Sequence, residues 1–191
     1  MQRIGLFGGS FNPVHFGHLL VAQAALEEIQ LDCVHFIPAA LSPFKTDADL
    51  APAPERLRML RLALAGQPWF RLDKQEIERG GISYTIDTVR HYALRFPEAR
   101  LYYLIGADIV PQLSLWRDSA ELAALVEFVV IPRPGELSSQ TQAPFRSHPL
   151  RGFPLGVSSS EIRRRVRCGK PVDFLVPPAV NEAIVNNRLY I

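Results

Sequence analysis

Residues 3–18 read RIGLFGGSFNPVHFGH. Five strand-forming residues run into Gly8-Gly9. Asn12-Pro13 sets a turn, and His15 and His18 flank Gly17 just before the helical pattern HLLVAQAALEEI at 18–29. A strand that ends in glycines and passes through a tight turn into a helix is the opening of a βα unit. Glycines without Cβ atoms let a ligand approach the backbone. The N-terminus of the helix offers unpaired N–H groups and the positive end of its dipole, which suit phosphate. Two imidazoles at that terminus can donate hydrogen bonds, and a polyanion would favour their charged form. Ordinary packing after a strand is the competing reading. A zinc site is not read here, because two histidines supply two ligands and no Cys or carboxylate stands at a spacing that completes the set. The stretch is neither a Walker A loop nor G-x-G-x-x-G.

The same alternation continues outward. Strands are expected over 33–40, 70–78, 100–108 and 127–135, and helices over 54–65, 84–96, 118–126, 158–169 and 177–190. Strands rich in Val, Ile, Leu and Phe, separated by helices, predict an α/β fold: a Rossmann-like, doubly wound parallel sheet covered on both faces, with a small C-terminal helical segment over 157–191. Ligands bind such sheets beyond the carboxyl ends of the strands. At 191 residues, 48% of them hydrophobic, one domain over 1–191 is expected. GELSSQTQAPFRSHPLRGFPLG, at 135–156, is rich in Pro, Ser, Gln and Gly without a period and reads as a flexible loop, a lid or an irregular excursion.

The formal net charge is +2 and the pI about 8.7. This mild balance does not point to nucleic acid. RRRVR at 163–167 reads as a solvated helix face unless its context says otherwise. Cys33 and Cys168 lie far apart in no C-x-x-C pattern, which fits free thiols in a reducing compartment. No n-region and apolar run of a signal peptide is read, and no apolar stretch approaches the ~18 residues of a membrane helix. A cytoplasmic protein without membrane contact is expected; the sequence is compatible with a homo-oligomer and does not decide it.

A second anion motif stands 140 residues after the first. In GVSSSEIRRRV, Ser158 and Glu161 form S-x-x-E, a capping box ahead of Ile162. Ser159 and Ser160 then fall beside open first-turn amides, and Arg163 shares a face with Ser159, so hydroxyl, amides and guanidinium could converge on one phosphate. A capped surface helix is the alternative.

GGSFNPVHFGH together with VSSSEIRRRV resembles the nucleotidyltransferase superfamily of small α/β adenylyltransferases, which carry H-x-G-H after strand 1 and I-S-S-T-x-I-R late in the chain. His15-Phe16-Gly17-His18 matches the first, and Val157 to Arg163 the second with Val for Ile and Ser for Thr. SYTIDT (83–88), IGAD (105–108), LSLWRD (113–118), Ile37-Pro38, Pro43-Phe44-Lys45, Arg133-Pro134 and the tail from Phe174 to Tyr190 are similar to the bacterial nicotinate-nucleotide adenylyltransferases, so the likeness spans nearly the whole chain. Phe44 departs from the His that the family often has there, and Ser10 and Asn12 stand where Thr and Asp are frequent.

The resemblance implies transfer of the adenylyl group of ATP, with Mg²⁺ carried by the triphosphate, to nicotinate mononucleotide, giving deamido-NAD and pyrophosphate. Nicotinamide mononucleotide and pantetheine phosphate are the rival acceptors, and a nucleotide-binding protein without turnover is the rival from another class. His15, His18, Lys45 and Arg163 would hold and neutralise phosphates. Gly8, Gly9, Ser10, Phe11, Gly106, Asp108, Ser159 and Ser160 would line the nucleotide site, Asp108 toward ribose hydroxyls. Trp116 would stack on the pyridine ring. Tyr84 and Thr85, at a helix start, and Arg117 would receive the nicotinate carboxylate.

Overall fold

The structure, a computed structural model, describes residues 1–43, 49–132, 141–153 and 155–191. The elements in chain order are β1 (Arg3–Gly9), α1 (Phe16–Glu28), β2 (Cys33–Pro38), α2 (Ala53–Leu64), β3 (Phe70–Leu72), α3 (Gln75–Arg79), α4 (Thr85–Arg95), β4 (Arg100–Gly106), a 3-10 helix (Ala107–Leu115), α5 (Ser119–Leu125), β5 (Val126–Ile131), β6 (Ser147–Pro149), α6 (Ser159–Arg167) and α7 (Pro178–Asn186). The strands form one sheet in the order β3-β2-β1-β4-β5-β6, and every pairing is parallel. The expected doubly wound α/β sheet is present.

Side chains leave the strands alternately to two apolar layers. Phe7, Phe36, Tyr102, Leu104 and Val129 join Ala22 of α1, Met59 and Leu60 of α2, Ile162 of α6 and Val180 of α7. Leu6, Ile37, Tyr103, Ile105 and Phe128 join Ile86 and Val89 of α4, Leu113 of the 3-10 helix and Leu122 of α5. With both faces covered, all six residues of β2 are buried, which explains the continuous apolar runs in the sequence.

Two elements differ from expectation. The strand foreseen over 70–78 stops at Leu72, because Asp73 turns the chain: its Oδ1 accepts the Gln75 N–H at 2.9 Å, and α3 follows. The stretch 135–156 contains β6, a three-residue edge strand whose Ser147–Pro149 pair with Phe128–Val130. The amides of Arg151 and Gly152 after it donate to the Glu28 carboxylate at 2.8 Å each. Residues 135–140 and 154 of that stretch, and Arg133-Pro134 before it, lie outside the described residues.

Candidate functional site

The sheet order reverses between β1 and β4, and the crevice at their carboxyl ends is where such folds take ligands. Three hollows join there. The largest, about 600 Å³, lies between His15, Gly17, His18 and the 150–160 segment, including Ser158, Ser159 and Ser160. The second, about 240 Å³, is floored by Gly8, Gly9 and Ser10 and walled by Ser83, Thr85, Tyr103 and Trp116. Phe7, Gly106 and Ile131 border both. The third, about 320 Å³, continues from Thr85 and Trp116 to Tyr84, Leu115 and Arg117. Together they make one groove with a glycine floor.

At the first end, the His15 and His18 rings stack with centroids 3.7 Å apart. The His15 N–H donates to His18 Nδ1 at 3.2 Å, so a neutral His18 carries its proton on Nε2. Gly17 is required by this stack: a Cβ there would stand 2.9 Å from His15 Nδ1. His15 is only 6% exposed, and burial pulls its pKa down to about 4. Without a bound anion it is therefore neutral at pH 7.

On α6, Ser158 caps the helix, accepting the Glu161 N–H at 3.2 Å. The Glu161 carboxylate does not complete the box; it takes Arg164 in bidentate fashion at 2.8 and 2.7 Å. Ser159 Oγ donates to the Pro13 carbonyl at 2.9 Å, and Arg163 Nη1 donates to the Asn12 carbonyl at 2.9 Å. The two residues expected to converge on one phosphate thus converge on the 12–13 turn, clamping α6 against the start of α1. Both motifs are brought together, by direct contact.

Asn12 is the hub of that turn. Its Nδ2 donates to the Asp49 carbonyl at 2.8 Å, and its Oδ1 accepts from the Ala51 N–H at 3.0 Å and the Tyr190 hydroxyl at 2.8 Å. A carboxylate could not supply the first of these bonds. The Phe11 ring is packed against Phe7, Phe36 and His18. Only the backbone of Phe11, at φ 46°, remains for a ligand. Arg56, 1% exposed, ties the loops after β1 and β2: it donates to the carbonyls of Ser10 at 2.9 Å, Ala39 at 2.8 Å and Ala51 at 3.1 Å.

At the other end, Tyr103 is the wall between floor and acceptor pocket. Its hydroxyl packs on Gly8, where a Cβ would overlap it. It also accepts from Thr85 Oγ1 at 3.4 Å. Trp116 meets the Tyr103 ring edge-on at 6.2 Å. Arg117, expected to face the acceptor carboxylate, lies over the Tyr84 ring at 4.8 Å, and Arg90 bridges Asp118 and Glu121, fastening α4 to α5. Asp108 is exposed at the start of the 3-10 helix. Lys45 and Phe44 lie outside the described residues. Among the described residues no group of three or more His, Cys, Asp or Glu could hold a metal ion.

Sequence reasoning missed Arg56, Glu76, Tyr103 and the use of Tyr190. Arg56 carried a faint signal, a charged residue on the apolar face of α2. Tyr103 carried none, because an aromatic in a buried strand reads as core.

The cytidylyltransferase-like family matches residues 6–165. A probable nicotinate-nucleotide adenylyltransferase from Opitutus terrae is 43% identical over 192 residues, covering 99% of this chain and 98% of its own. The nicotinate-nucleotide adenylyltransferase of Bacillus subtilis is 39% identical over 190 residues, covering 100% and 99%. Among solved structures, the Plasmodium falciparum nicotinic acid mononucleotide adenylyltransferase complexed with NaAD has the same fold, with TM-score 0.81 and 18% identity over 100% of this chain and 98% of that one.

Proposed function

Because the chain belongs to the cytidylyltransferase-like family and, within it, to the nicotinate-nucleotide adenylyltransferases, we propose that it transfers the adenylyl group of ATP to nicotinate mononucleotide, releasing pyrophosphate. The observation that carries this reading is the continuous groove. It joins a phosphate-suited end, at His18 and the α1 N-terminus, to an aromatic end at Tyr84, Thr85 and Trp116.

The acceptor phosphate is already a nucleophile, so an in-line attack on the α-phosphorus of ATP needs no covalent enzyme intermediate. Catalysis is positioning plus charge stabilisation. Gly8, Gly9, Ser10 and the Phe11 backbone admit the nucleotide to the floor, with Gly106 and Asp108 on its ribose side. His18 Nε2–H and the positive end of the α1 dipole stabilise the leaving pyrophosphate, with the first-turn amides of Ser159 and Ser160 and the Lys45 ammonium adding donors. His15 holds His18 in place through the stack, and Arg163 holds the turn that carries both. Mg²⁺ enters with ATP as part of the substrate and supplies charge neutralisation on its phosphates. Trp116 offers its face to the pyridine ring, and the amides at the start of α4 take the nicotinate carboxylate. The free thiols of Cys33 and Cys168 support work in a reducing compartment.

Nicotinate mononucleotide, nicotinamide mononucleotide and pantetheine phosphate, each assayed with ATP for pyrophosphate release, test the acceptor. A preference for either of the last two overturns it. His18→Ala is expected to lower kcat by about 10²-fold or more, the scale of one lost charge-stabilising donor; near wild-type turnover refutes the role.

A further inference from the structure

The acceptor end of the groove contains a buried carboxyl that the transfer itself does not use. Glu76 of α3 is 4% exposed and borders the 240 Å³ hollow beside Ser83, Thr85 and Trp116. Thr88 Oγ1 donates to its Oε1 at 2.5 Å, and the Ser83 hydroxyl is also hydrogen-bonded to it. Ser83 in turn accepts the Ala40 N–H on its Oγ at 2.9 Å and donates its own N–H to the Leu41 carbonyl at 2.9 Å.

Glu76 therefore grips α4 from both sides of its first turn. Ser83 precedes the Tyr84 cap, and Thr88 lies one turn in. Arg79 from the end of α3, Asp73 ahead of it and the Tyr103 hydroxyl from β4 face the same carboxyl, and burial pushes it above the usual carboxylate range. A corner that had only to be filled would be met more cheaply by an apolar side chain, since a buried polar group costs free energy unless its partners are held in good geometry. Here the partners are the residues that set where the first amides of α4 point.

We propose that Glu76 is a positioning residue for the acceptor: through Ser83 and Thr88 it fixes the open N–H groups at the start of α4, and with them the preference for an acid over the corresponding amide. The inference rests on the nicotinate reading given above. A carboxylate depends on those amides and on the helix dipole more than a neutral carboxamide does, so loosening the turn penalises the acid first.

The test uses the full chain with ATP and either nicotinate or nicotinamide mononucleotide, in wild type, Glu76→Ala, Glu76→Gln and Thr88→Val. Glu76→Ala is expected to raise KM for nicotinate mononucleotide about tenfold and to lower the acid-to-amide ratio of kcat/KM by a similar factor, with KM for ATP within about twofold. Glu76→Gln, which keeps a partner for each hydroxyl, should bring KM back to within about threefold of wild type. Thr88→Val, which removes one of the two grips at nearly constant volume, should raise it about threefold. Thr88→Val and Glu76→Gln decide the matter if Glu76→Ala does not fold. An unchanged acceptor KM in Glu76→Ala or Thr88→Val, equal losses toward ATP and acceptor, or Glu76→Gln no better than Glu76→Ala each overturns the proposal. A wild-type enzyme that prefers another acceptor sinks the nicotinate reading instead, so the two failures are told apart.

Discussion

Replacing Gly17 by alanine adds one methyl group to the first turn of α1, with its Cβ 2.9 Å from His15 Nδ1 and 3.0 Å from Cε1. The backbone there is ordinary helix, and alanine is the better helix former by up to about 1 kcal/mol. Global stability should therefore change little. The local effect is different. Relieving the contact requires the His15 ring to retreat by about half an ångström to reach ordinary van der Waals distance. That ring is buried and stacked on the His18 ring with centroids 3.7 Å apart, so its displacement is felt at His18. A misplacement of this size at a charge-stabilising group costs roughly 10- to 100-fold in rate. The expected result is a kcat lowered by about that factor, measured as pyrophosphate release at saturating ATP and nicotinate mononucleotide, with Tm by circular dichroism within about 4 °C of wild type. A Gly17→Ala enzyme that folds normally and turns over within about twofold of wild type would refute the claim that the stack sets the position of His18.

Acid should destabilise the protein earlier than carboxylates alone would. His15 and His35 are both held at about 4 by burial, so between pH 6.5 and 4 the unfolded chain binds protons that the folded one does not. Stability is full above pH 6.5 and falls below it, by about 3 kcal/mol per histidine at most, offset in part by Glu76, which takes its proton more readily when folded; a urea midpoint that stays flat from pH 7 to 4.5 contradicts this. Arg56→Leu leaves three carbonyls without their guanidinium, one of them in a buried bond and two in part-buried ones, and should cost about 3 kcal/mol in chemical unfolding; a loss under about 1 kcal/mol would show that the loops after β1 and β2 do not depend on it. Tyr190→Phe removes one bond to Asn12 and should cost about 1 kcal/mol, again read from the urea midpoint, with no loss expected in a Tyr190→Phe, Asn12→Ala pair beyond that of Asn12→Ala alone.

The arrangement of strands and helices was readable because parallel strands buried on both faces need continuous apolar runs, and the helices between them carry their own periodicity. What escaped notice was structure made by the backbone or by single polar side chains. FRLDKQEIE alternates well enough to look like one strand, yet Asp73 ends it after Leu72 by taking the Gln75 amide. β6 has no apolar pattern, since three edge residues paired on one side need only backbone bonds. The site divides along the same line. Gly8, Gly9, His18, Thr85 and Trp116 announce themselves by residue type beside a strand end or helix start, and they do border the groove. Phe11 and Arg163 sit in equally suggestive positions, but one packs its ring on Phe7 and the other holds Asn12. A motif fixes which residues matter; it does not distinguish a residue that touches the ligand from one that holds the residue that does.

The Tyr190 hydroxyl reaches Asn12 across 178 residues of chain. In synthesis β1, the turn and α1 leave the ribosome before α6 and Tyr190 do, and folding begins while later residues are still being made. The turn that carries the two histidines then lacks α6 until residues 159–167 have emerged, and lacks its Tyr190 bond until translation has passed residue 190. An unfinished copy can form most of the sheet without having a finished nucleotide cleft. The cleft is therefore finished by residues that come after the whole sheet in chain order.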